Sequence, residues 1–136
     1  MNPIKVLIVD DNVDLALALT LRLRANDYEA ELAQDAVSAI ALALAHRPIA
    51  ILLDLHLAKE DGLAIMRQLQ SYPDLCSVPV IVVSADCSIV TKHKVLEAGA
   101  HSFLDKPVNH RLLLQLLRDI QMRSTHPEQL KATAHP

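Results

Sequence analysis

Five short apolar runs alternate with five helical patterns along the chain, and this alternation restricts the fold more than any other feature of the sequence. The runs have the length and β-branched content of buried strands, and they are Ile4–Val9, Tyr28–Leu32, Ile49–Leu53, Val78–Val83 and Ser102–Leu104. The helical patterns are about Val13–Ala25, Asp35–Ala45 (with Asp35 as N-cap), Leu63–Gln70, Ile89–Ala98 and Asn109–Met122. A helix after each strand predicts parallel strands in one sheet, with helices on both faces.

The predicted fold class is α/β, a flavodoxin-like (βα)5 three-layer sandwich with a parallel five-stranded sheet in the order 2-1-3-4-5. A dinucleotide-binding arrangement would need a glycine-rich loop after the first strand, and the sequence has none there. The 136 residues are enough for one domain with its own core. We expect that domain at residues 1–122, followed by a tail or the start of a linker at 123–136.

Composition argues against several classes of protein. The chain is 51% hydrophobic, which argues against general disorder, and its apolar runs are too short to cross a bilayer. The first residues lack a signal-peptide pattern, so we expect a cytoplasmic protein. A net charge of −3 and 2% aromatic residues argue against direct nucleic-acid binding. Cys76 and Cys87 match no metal-binding spacing and are expected to be reduced.

Three carboxylates stand where two neighbouring strands of the predicted sheet end. Asp10 and Asp11 follow the first strand, and Asp54 follows the third. Unpaired carboxylates that lie close together repel and raise one another's pKa, and a divalent cation relieves that conflict. Oxygen ligands of this kind suit Mg²⁺. With the cation bound, Asp54 is predicted to act as a nucleophile toward phosphorus and to form an aspartyl phosphate.

The fourth and fifth strands bring a hydroxyl and an ammonium group to the same edge of the sheet. Ser84 ends the fourth strand, and Lys106 lies in the loop after the fifth. Phosphoryl transfer requires stabilisation of the charge on the equatorial oxygens, and these two groups are predicted to supply it. Taken singly, a serine here is more often a helix cap and a lysine more often solvated. The prediction therefore depends on the whole set occurring together.

That ordered set resembles the signature of two-component response-regulator receiver domains over about residues 4–122, and it consists of Asp10-Asp11, Asp54, Ser84-Ala85, Phe103 and Lys106-Pro107. The resemblance implies that Asp54 accepts a phosphoryl group from a phosphohistidine of a sensor kinase or a histidine phosphotransfer protein. It implies that Mg²⁺ is bound by Asp11, by Asp54, by the backbone carbonyl of His56 and, through water, by Asp10.

The resemblance also implies a switch. Ser84 would move to bond the phosphoryl group, and Phe103 would swing inward behind it. Phe103 lacks the hydroxyl of the commoner tyrosine, so its inward state gains no hydroxyl hydrogen bond. Lys106 would bridge the phosphoryl group and the acids, and Pro107 would hold the Lys106 peptide in cis.

The loop after Asp54 departs from the family pattern at two positions. Ala58 stands where the family usually has proline, and Glu60 stands where methionine is common. We expect the missing proline to loosen the loop without changing the chemistry. His56 and Asp86 occupy variable positions that, in the family, tune how fast the phosphoaspartate hydrolyses.

The first helix has two apolar faces. The face predicted to pack on the sheet consists of Leu15, Ala18, Leu19 and Leu23. Leu17 and Leu21 lie on the opposite face, where they are either an isolated exposed pair or a docking patch for the phosphodonor partner.

The last helix has a core stripe that consists of Leu113, Leu116, Leu117 and Ile120. Leu112 and Leu114 widen this stripe, which suggests partial burial against a second copy or an output region. Receivers often pair or signal through the fourth helix, fifth strand and fifth helix, so a homodimer through these elements is a further expectation.

The leading interpretation is a switch that promotes its own aspartyl phosphorylation and dephosphorylation and has no separate catalytic domain. One alternative is a small aspartate-nucleophile phosphohydrolase of the haloacid-dehalogenase type. That chemistry needs a second acid two residues after the nucleophile, where this chain has His56. The other alternative, a receiver-like binding module without phosphorylation, predicts the loss of Asp11, Asp54 or Lys106, and all three are present.

Overall fold

The computed structural model describes residues 4–125. Its strands are β1 Ile4–Val9, β2 Tyr28–Ala33, β3 Ala50–Asp54, β4 Val80–Ser84 and β5 Ser102–Asp105. Its helices are α1 Val13–Arg24, α2 Ala36–His46, α3 Gly62–Gln70, α4 Ile89–Glu97 and α5 His110–Thr125. The predicted elements are all present, with boundaries that differ from the predictions by no more than three residues.

The strands form one parallel sheet in the order β2-β1-β3-β4-β5, which confirms the predicted topology. Val9 of β1 pairs with Leu53 of β3, so Asp10 and Asp54 come next on neighbouring strands. Ser84 at the end of β4 pairs with Asp105 at the end of β5. This register brings the predicted site residues together at the carboxyl edge of the sheet.

Two apolar clusters cover the two faces of the sheet, so alternate residues of each strand enter opposite clusters. On one face, Val9 and Leu53 pack with buried residues of α2, α3 and α4. On the other face, Ile8 and Leu52 pack with buried residues of α1 and α5. The central strands β3 and β4 are buried along their whole length. The result is the predicted three-layer sandwich.

Helix α1 is rotated relative to the predicted packing. Its buried residues are Ala16, Leu19 and Leu23, whereas Leu15 is 48% exposed and Ala18 is also exposed. The prediction that Leu15 and Ala18 face the sheet is therefore wrong. Both side chains line a cavity beside the loop between β5 and α5.

The packing of α5 largely follows the prediction. Leu113, Leu117 and Ile120 are buried, and Leu116 is half-buried. The helix continues to Thr125, three residues beyond its predicted end at Met122. The rest of the predicted tail lies outside the described residues. Between residues 4 and 125, no helix combines the length and apolar character needed to cross a membrane.

Candidate functional site at the carboxyl edge of the sheet

Three polar side chains are buried among the described residues, and all three belong to the predicted site. Asp10 is 5% exposed, Asp54 is 6% exposed and Ser84 is fully buried. Buried carboxylates are costly unless they are paired, hydrogen-bonded or bound to a metal. Their presence at one edge of the sheet therefore points to a function for that edge.

Local hydrogen bonds fix the orientation of the two buried acids. The backbone N–H of Asn12 donates to Oδ1 of Asp10 over 2.8 Å, and the backbone N–H of His56 donates to Oδ1 of Asp54 over 3.1 Å. In each case the donor lies two residues after the acid, as in an Asx turn. Each carboxylate is thus held in place and keeps its second oxygen for another partner.

Lys106 is the partner of the second oxygen of Asp54. Its Nζ lies 3.2 Å from Oδ2 of Asp54. The backbone N–H of Lys106 donates to the carbonyl oxygen of Ser84 over 3.0 Å, which ties the loop after β5 to the end of β4. The Lys106–Pro107 peptide bond is cis. The ion pair and the backbone hydrogen bond place the lysine side chain across the sheet edge, beside the acids.

Asp11 completes an acid cluster with the two buried aspartates. Carboxylate oxygens of Asp10, Asp11 and Asp54 all lie within 4.8 Å of one another. Burial raises the pKa of Asp10, and the nearby charge of Asp54 raises it further. The Asn12 N–H and the Lys106 charge act in the opposite direction on that pKa. A crowded set of carboxylate oxygens with an excess of negative charge fits a hard divalent cation such as Mg²⁺.

The residues implied as the switch lie on two neighbouring strands, Ser84 at the end of β4 and Phe103 in β5. The backbone N–H of Asp86 donates to the buried Oγ of Ser84 over 3.0 Å, so that hydroxyl still has its own proton to donate. Phe103 is half-buried, with Nζ of Lys92 5.6 Å from the ring centroid. The same ammonium lies 3.4 Å from Oδ1 of Asp105. Lys92 therefore contacts the aromatic ring and the acid that ends β5.

Asp86 has a structural role that sequence reasoning missed. Its Oδ2 accepts a hydrogen bond from Oγ1 of Thr91 over 2.8 Å, and its Oδ1 accepts one from the backbone N–H of Ser88 over 3.2 Å. The Thr91 hydrogen bond is the main reason why the pKa of Asp86 is lowered. Asp86 thus joins the Ser84 loop to the first turn of α4. The Asp-x-Ser pattern at 86–88 was the available signal.

The loop after Asp54 is tied to its neighbours at the two positions where the sequence departs from the family. The backbone N–H of Ala58 donates to Oδ2 of Asp11 over 2.6 Å. The backbone N–H of Ala36, at the start of α2, donates to Oε1 of Glu60 over 3.0 Å. The expectation that this loop is loosened took no account of these contacts.

Gly62 permits the chain to pass close to the backbone at the end of β3. A Cβ at this position would lie 2.6 Å from the carbonyl oxygens of both Asp54 and Leu55. The backbone N–H of Gly62 donates to the carbonyl oxygen of Leu55 over 3.0 Å. The absence of a side chain is therefore a condition for closing the loop, and a glycine at the end of a polar loop was its sequence signal.

An apolar cavity of about 250 Å³ adjoins the acid cluster. Leu15, Ala18 and Leu19 of α1 line it on one side, and Val108 and His110 line it near α5. Asp54 and Lys106 form part of its wall. The Asp54 carboxylate thus lies between a polar cluster and a low-dielectric surface, where charge interactions are stronger than in water.

The exposed face of α1 begins close to this site. Leu17 is 55% exposed and Leu21 is 59% exposed, as the sequence pattern predicted for residues that do not face the sheet. Exposure of both leucines leaves the docking interpretation open as a prediction.

The doubly wound fold and the buried acid–lysine site define an α/β domain of the receiver class. The family model for the response regulator receiver domain matches residues 6–118. The chain belongs to this family, which confirms the resemblance drawn from the sequence and favours signalling over a phosphohydrolase activity.

Known proteins of the same family resemble the chain in sequence and structure. It is 37% identical to the response regulator MprA of Mycobacterium sp. (strain KMS) over 127 residues, which are 93% of this chain and 54% of MprA. The chain thus spans about half the length of the curated relatives it matches. The crystal structure of a candidate response regulator from Chloroflexus aurantiacus J-10-fl matches this chain with a TM-score of 0.82 and 30% identity. The match covers 90% of this chain and 100% of the other. The receiver domain of Francisella response regulator 1452 matches with a TM-score of 0.81 and 26% identity, covering 90% and 99%.

Proposed function

We propose that this receiver domain is a switch controlled by phosphorylation of Asp54, with the phosphoryl group supplied by a phosphohistidine of a sensor kinase or a histidine phosphotransfer protein. The observation that carries the proposal is the environment of Asp54. Its carboxylate is buried, lies 3.2 Å from Nζ of Lys106 and has two further carboxylates within 4.8 Å. That arrangement combines a fixed oxygen nucleophile with a place for a cation.

The proposed reaction transfers a phosphoryl group from nitrogen to oxygen. A carboxylate oxygen of Asp54 forms a bond to phosphorus while the bond from phosphorus to the donor imidazole nitrogen breaks. The electron pair of that broken bond remains on the imidazole, which takes up a proton. Lys106 stabilises negative charge on the phosphoryl oxygens, and Ser84 has a hydroxyl proton for the same purpose. Hydrolysis of the aspartyl phosphate later returns Asp54 to its carboxylate form.

The residues of the acid cluster suit Mg²⁺ as the cofactor. Asp11, Asp54 and the backbone carbonyl of His56 would hold the ion directly, and Asp10 would act through water. When bound, the ion neutralises the crowded carboxylates and the charge of the phosphoryl oxygens. Burial is the main reason why the pKa of Asp10 is raised, and the charge of Asp54 raises it further, so a cation at this cluster would favour the charged form of the acid.

Ser84 and Phe103 are proposed to report phosphorylation to the α4 side of the domain. Ser84 would bond the phosphoryl group, and Phe103 would move inward from its half-buried position. The contact of Lys92 with the Phe103 ring supports a link to α4. We further propose Leu17 and Leu21 as part of the surface that meets the phosphodonor, and α4, β5 and α5 as a face for a homodimer.

Incubation with Mg²⁺ and a small phosphodonor, followed by intact-mass analysis, tests the central assignment. We expect a gain of one phosphoryl group that is lost in Asp54→Asn and on addition of a chelator. Modification that persists in Asp54→Asn would refute Asp54 as the acceptor. No modification of the unaltered protein by either a small donor or phosphohistidine protein would favour a binding module without phosphorylation.

A further inference from the structure

The amide group of Ala58 contacts an acid from a distant part of the chain. Its N–H donates to Oδ2 of Asp11 over 2.6 Å, across 47 positions of sequence. Hydrogen bonds from a backbone N–H to a carboxylate are shorter and stronger than neutral ones. This contact holds one oxygen of Asp11 on the loop between β3 and α3. The carboxylate still offers an oxygen within 4.8 Å of ligand atoms of Asp10 and Asp54.

Glu60 ties the same loop to a second element. Its Oε1 accepts a hydrogen bond from the backbone N–H of Ala36, the first residue of α2. The first N–H groups of a helix lack partners within the helix, and a carboxylate there is favoured by the helix dipole. The N-cap Asp35 accepts from the N–H of Ser38, so Glu60 satisfies a different donor of the same helix end.

The base of the loop is closed as well. His56 and Asp61 form an isolated antiparallel bridge, and the N–H of Gly62 donates to the carbonyl oxygen of Leu55. The loop is therefore fixed at its base, at Glu60 and at Ala58. The contacts at the base of the loop and at Glu60 restrict the backbone on both sides of Ala58. They hold the Ala58 N–H in the orientation in which it donates to Asp11.

We infer that Ala58 is a positioning residue for the cation site: its N–H orients Asp11, and Glu60 holds the loop in the place that this requires. The inference rests on the proposed function, since it assigns a role within the same Mg²⁺ site. A proline at position 58 has no N–H and cannot make the contact. Supporting contacts of metal ligands typically change metal affinity by about tenfold or more when they are removed.

The Mg²⁺ affinity of matched variants, measured by isothermal titration calorimetry, tests this role. We expect Ala58→Pro to weaken Mg²⁺ binding about tenfold. Ala58→Gly keeps the N–H and is expected to stay within about twofold of the unaltered protein. Glu60→Ala should weaken binding by a smaller factor, whereas Glu60→Gln keeps a hydrogen-bond acceptor and should retain most of the affinity. Unchanged affinity in Ala58→Pro would overturn the inference.

Two further measurements separate positioning from general damage to the loop. In the metal-free protein, the Ala58 amide proton should resonate at low field in a ¹H–¹⁵N spectrum. It should shift in Asp11→Ala more than the amides of neighbouring residues do. In a double-mutant cycle on the free energy of unfolding of the metal-free protein, the loss caused by Ala58→Pro should be smaller when Asp11 is already alanine. The inference would be overturned if the Ala58 amide resonance did not shift in Asp11→Ala. It would also be overturned if Ala58→Pro caused the same loss of stability in both backgrounds.

These outcomes also distinguish the two proposals. If the unaltered protein binds no Mg²⁺, the proposed function fails together with the positioning role. If it binds Mg²⁺ and is phosphorylated but Ala58→Pro is neutral, only the positioning role fails.

Discussion

The ammonium group of Lys106 lies 3.2 Å from Oδ2 of Asp54, although the two residues are separated by two strands and two helices of the chain. The lysine side chain is 24% exposed and that of the aspartate is 7% exposed, so the pair is partly shielded from water. Lys106 offsets some of the repulsion within the acid cluster. The free energy of unfolding should therefore depend on this contact.

Replacement of Lys106 by methionine should destabilise the metal-free protein at neutral pH. The change keeps most of the apolar stem but leaves Asp54 without its cation, so we expect a loss of about 2 kcal/mol in the free energy of unfolding. Urea denaturation measures it. Asp54→Asn should recover much of the loss in the double variant. If Lys106→Met were as stable as the unaltered protein, the contact would contribute nothing to the fold.

Asp10→Asn should stabilise the metal-free protein, and the gain should grow with pH. The pKa of Asp10 is raised in the folded state, above an ordinary value of 3.8. Asp10 therefore makes its full favourable contribution to the free energy of unfolding at pH values below its pKa in the unfolded chain. That contribution is lost as the pH rises through the pKa of Asp10 in the folded state. The variants should have similar stability in acid and diverge toward neutrality. Asp14→Asn, in the exposed first turn of α1, is the matched control.

Mg²⁺ should raise the melting temperature of the unaltered protein. A ligand that binds only the folded state stabilises it by about 2.7 kcal/mol at one hundred times its Kd. Asp11→Ala should greatly reduce the shift, and a chelator should reverse it. The same stabilisation by an equal ionic strength of NaCl would indicate screening of the acid cluster and not specific binding.

Gly62→Ala should reduce both stability and phosphorylation. The added Cβ would lie 2.6 Å from two backbone carbonyl oxygens, one of them that of Asp54, so we expect a cost of about 1–3 kcal/mol. Gly99→Ala is the control. Gly99 has a φ of 108°, so alanine is strained there too, but it lies after α4 and does not contact Asp54. Intact-mass assays at a temperature where both variants are folded should show a phosphorylation defect only in Gly62→Ala.

Leu17→Ser combined with Leu21→Ser should slow phosphotransfer from the cognate kinase or phosphotransfer protein and leave phosphorylation by a small donor unchanged. Both leucines are more than half exposed, so their replacement should cost little stability. Val37→Ser, at an 80% exposed position of α2, serves as control. Equal phosphotransfer rates in the double variant and the control would refute the docking patch.

The sequence predicted the layers, the strand order and the set of residues at the sheet edge because these depend on strong, regular signals. Strands buried on both faces are continuous apolar runs, and parallel strands place their carboxyl ends together. The rotation of α1 was predicted incorrectly, since Leu15 and Ala16 are both apolar and neighbouring stripes fit the pattern about equally well. In the structure Ala16 is buried with Leu19 and Leu23, whereas Leu15 is 48% exposed, so the stripe through Ala16 packs on the sheet.

The contacts of the loop after Asp54 could not be read from the sequence for a different reason. Ala58 contributes through its backbone N–H, and an alanine in a sequence carries no sign of the partner that its amide will find. Glu60 reaches the start of α2 across 24 positions, which no local pattern encodes. Absence of the proline indicated a change in the loop, but its effect depends on distant residues.

Lys92 of α4 contacts both the Phe103 ring and Asp105 of β5. The resting position of Phe103 is therefore stabilised by a contact between α4 and β5. If Phe103 moves inward on phosphorylation as proposed, this shared contact has to be rearranged. A protein that binds α4 and draws Lys92 away would then favour the inward ring. By thermodynamic reciprocity, phosphorylation would strengthen the binding of that protein by the same factor. Lys92 would thus contribute to the coupling between phosphorylation and the binding of that protein.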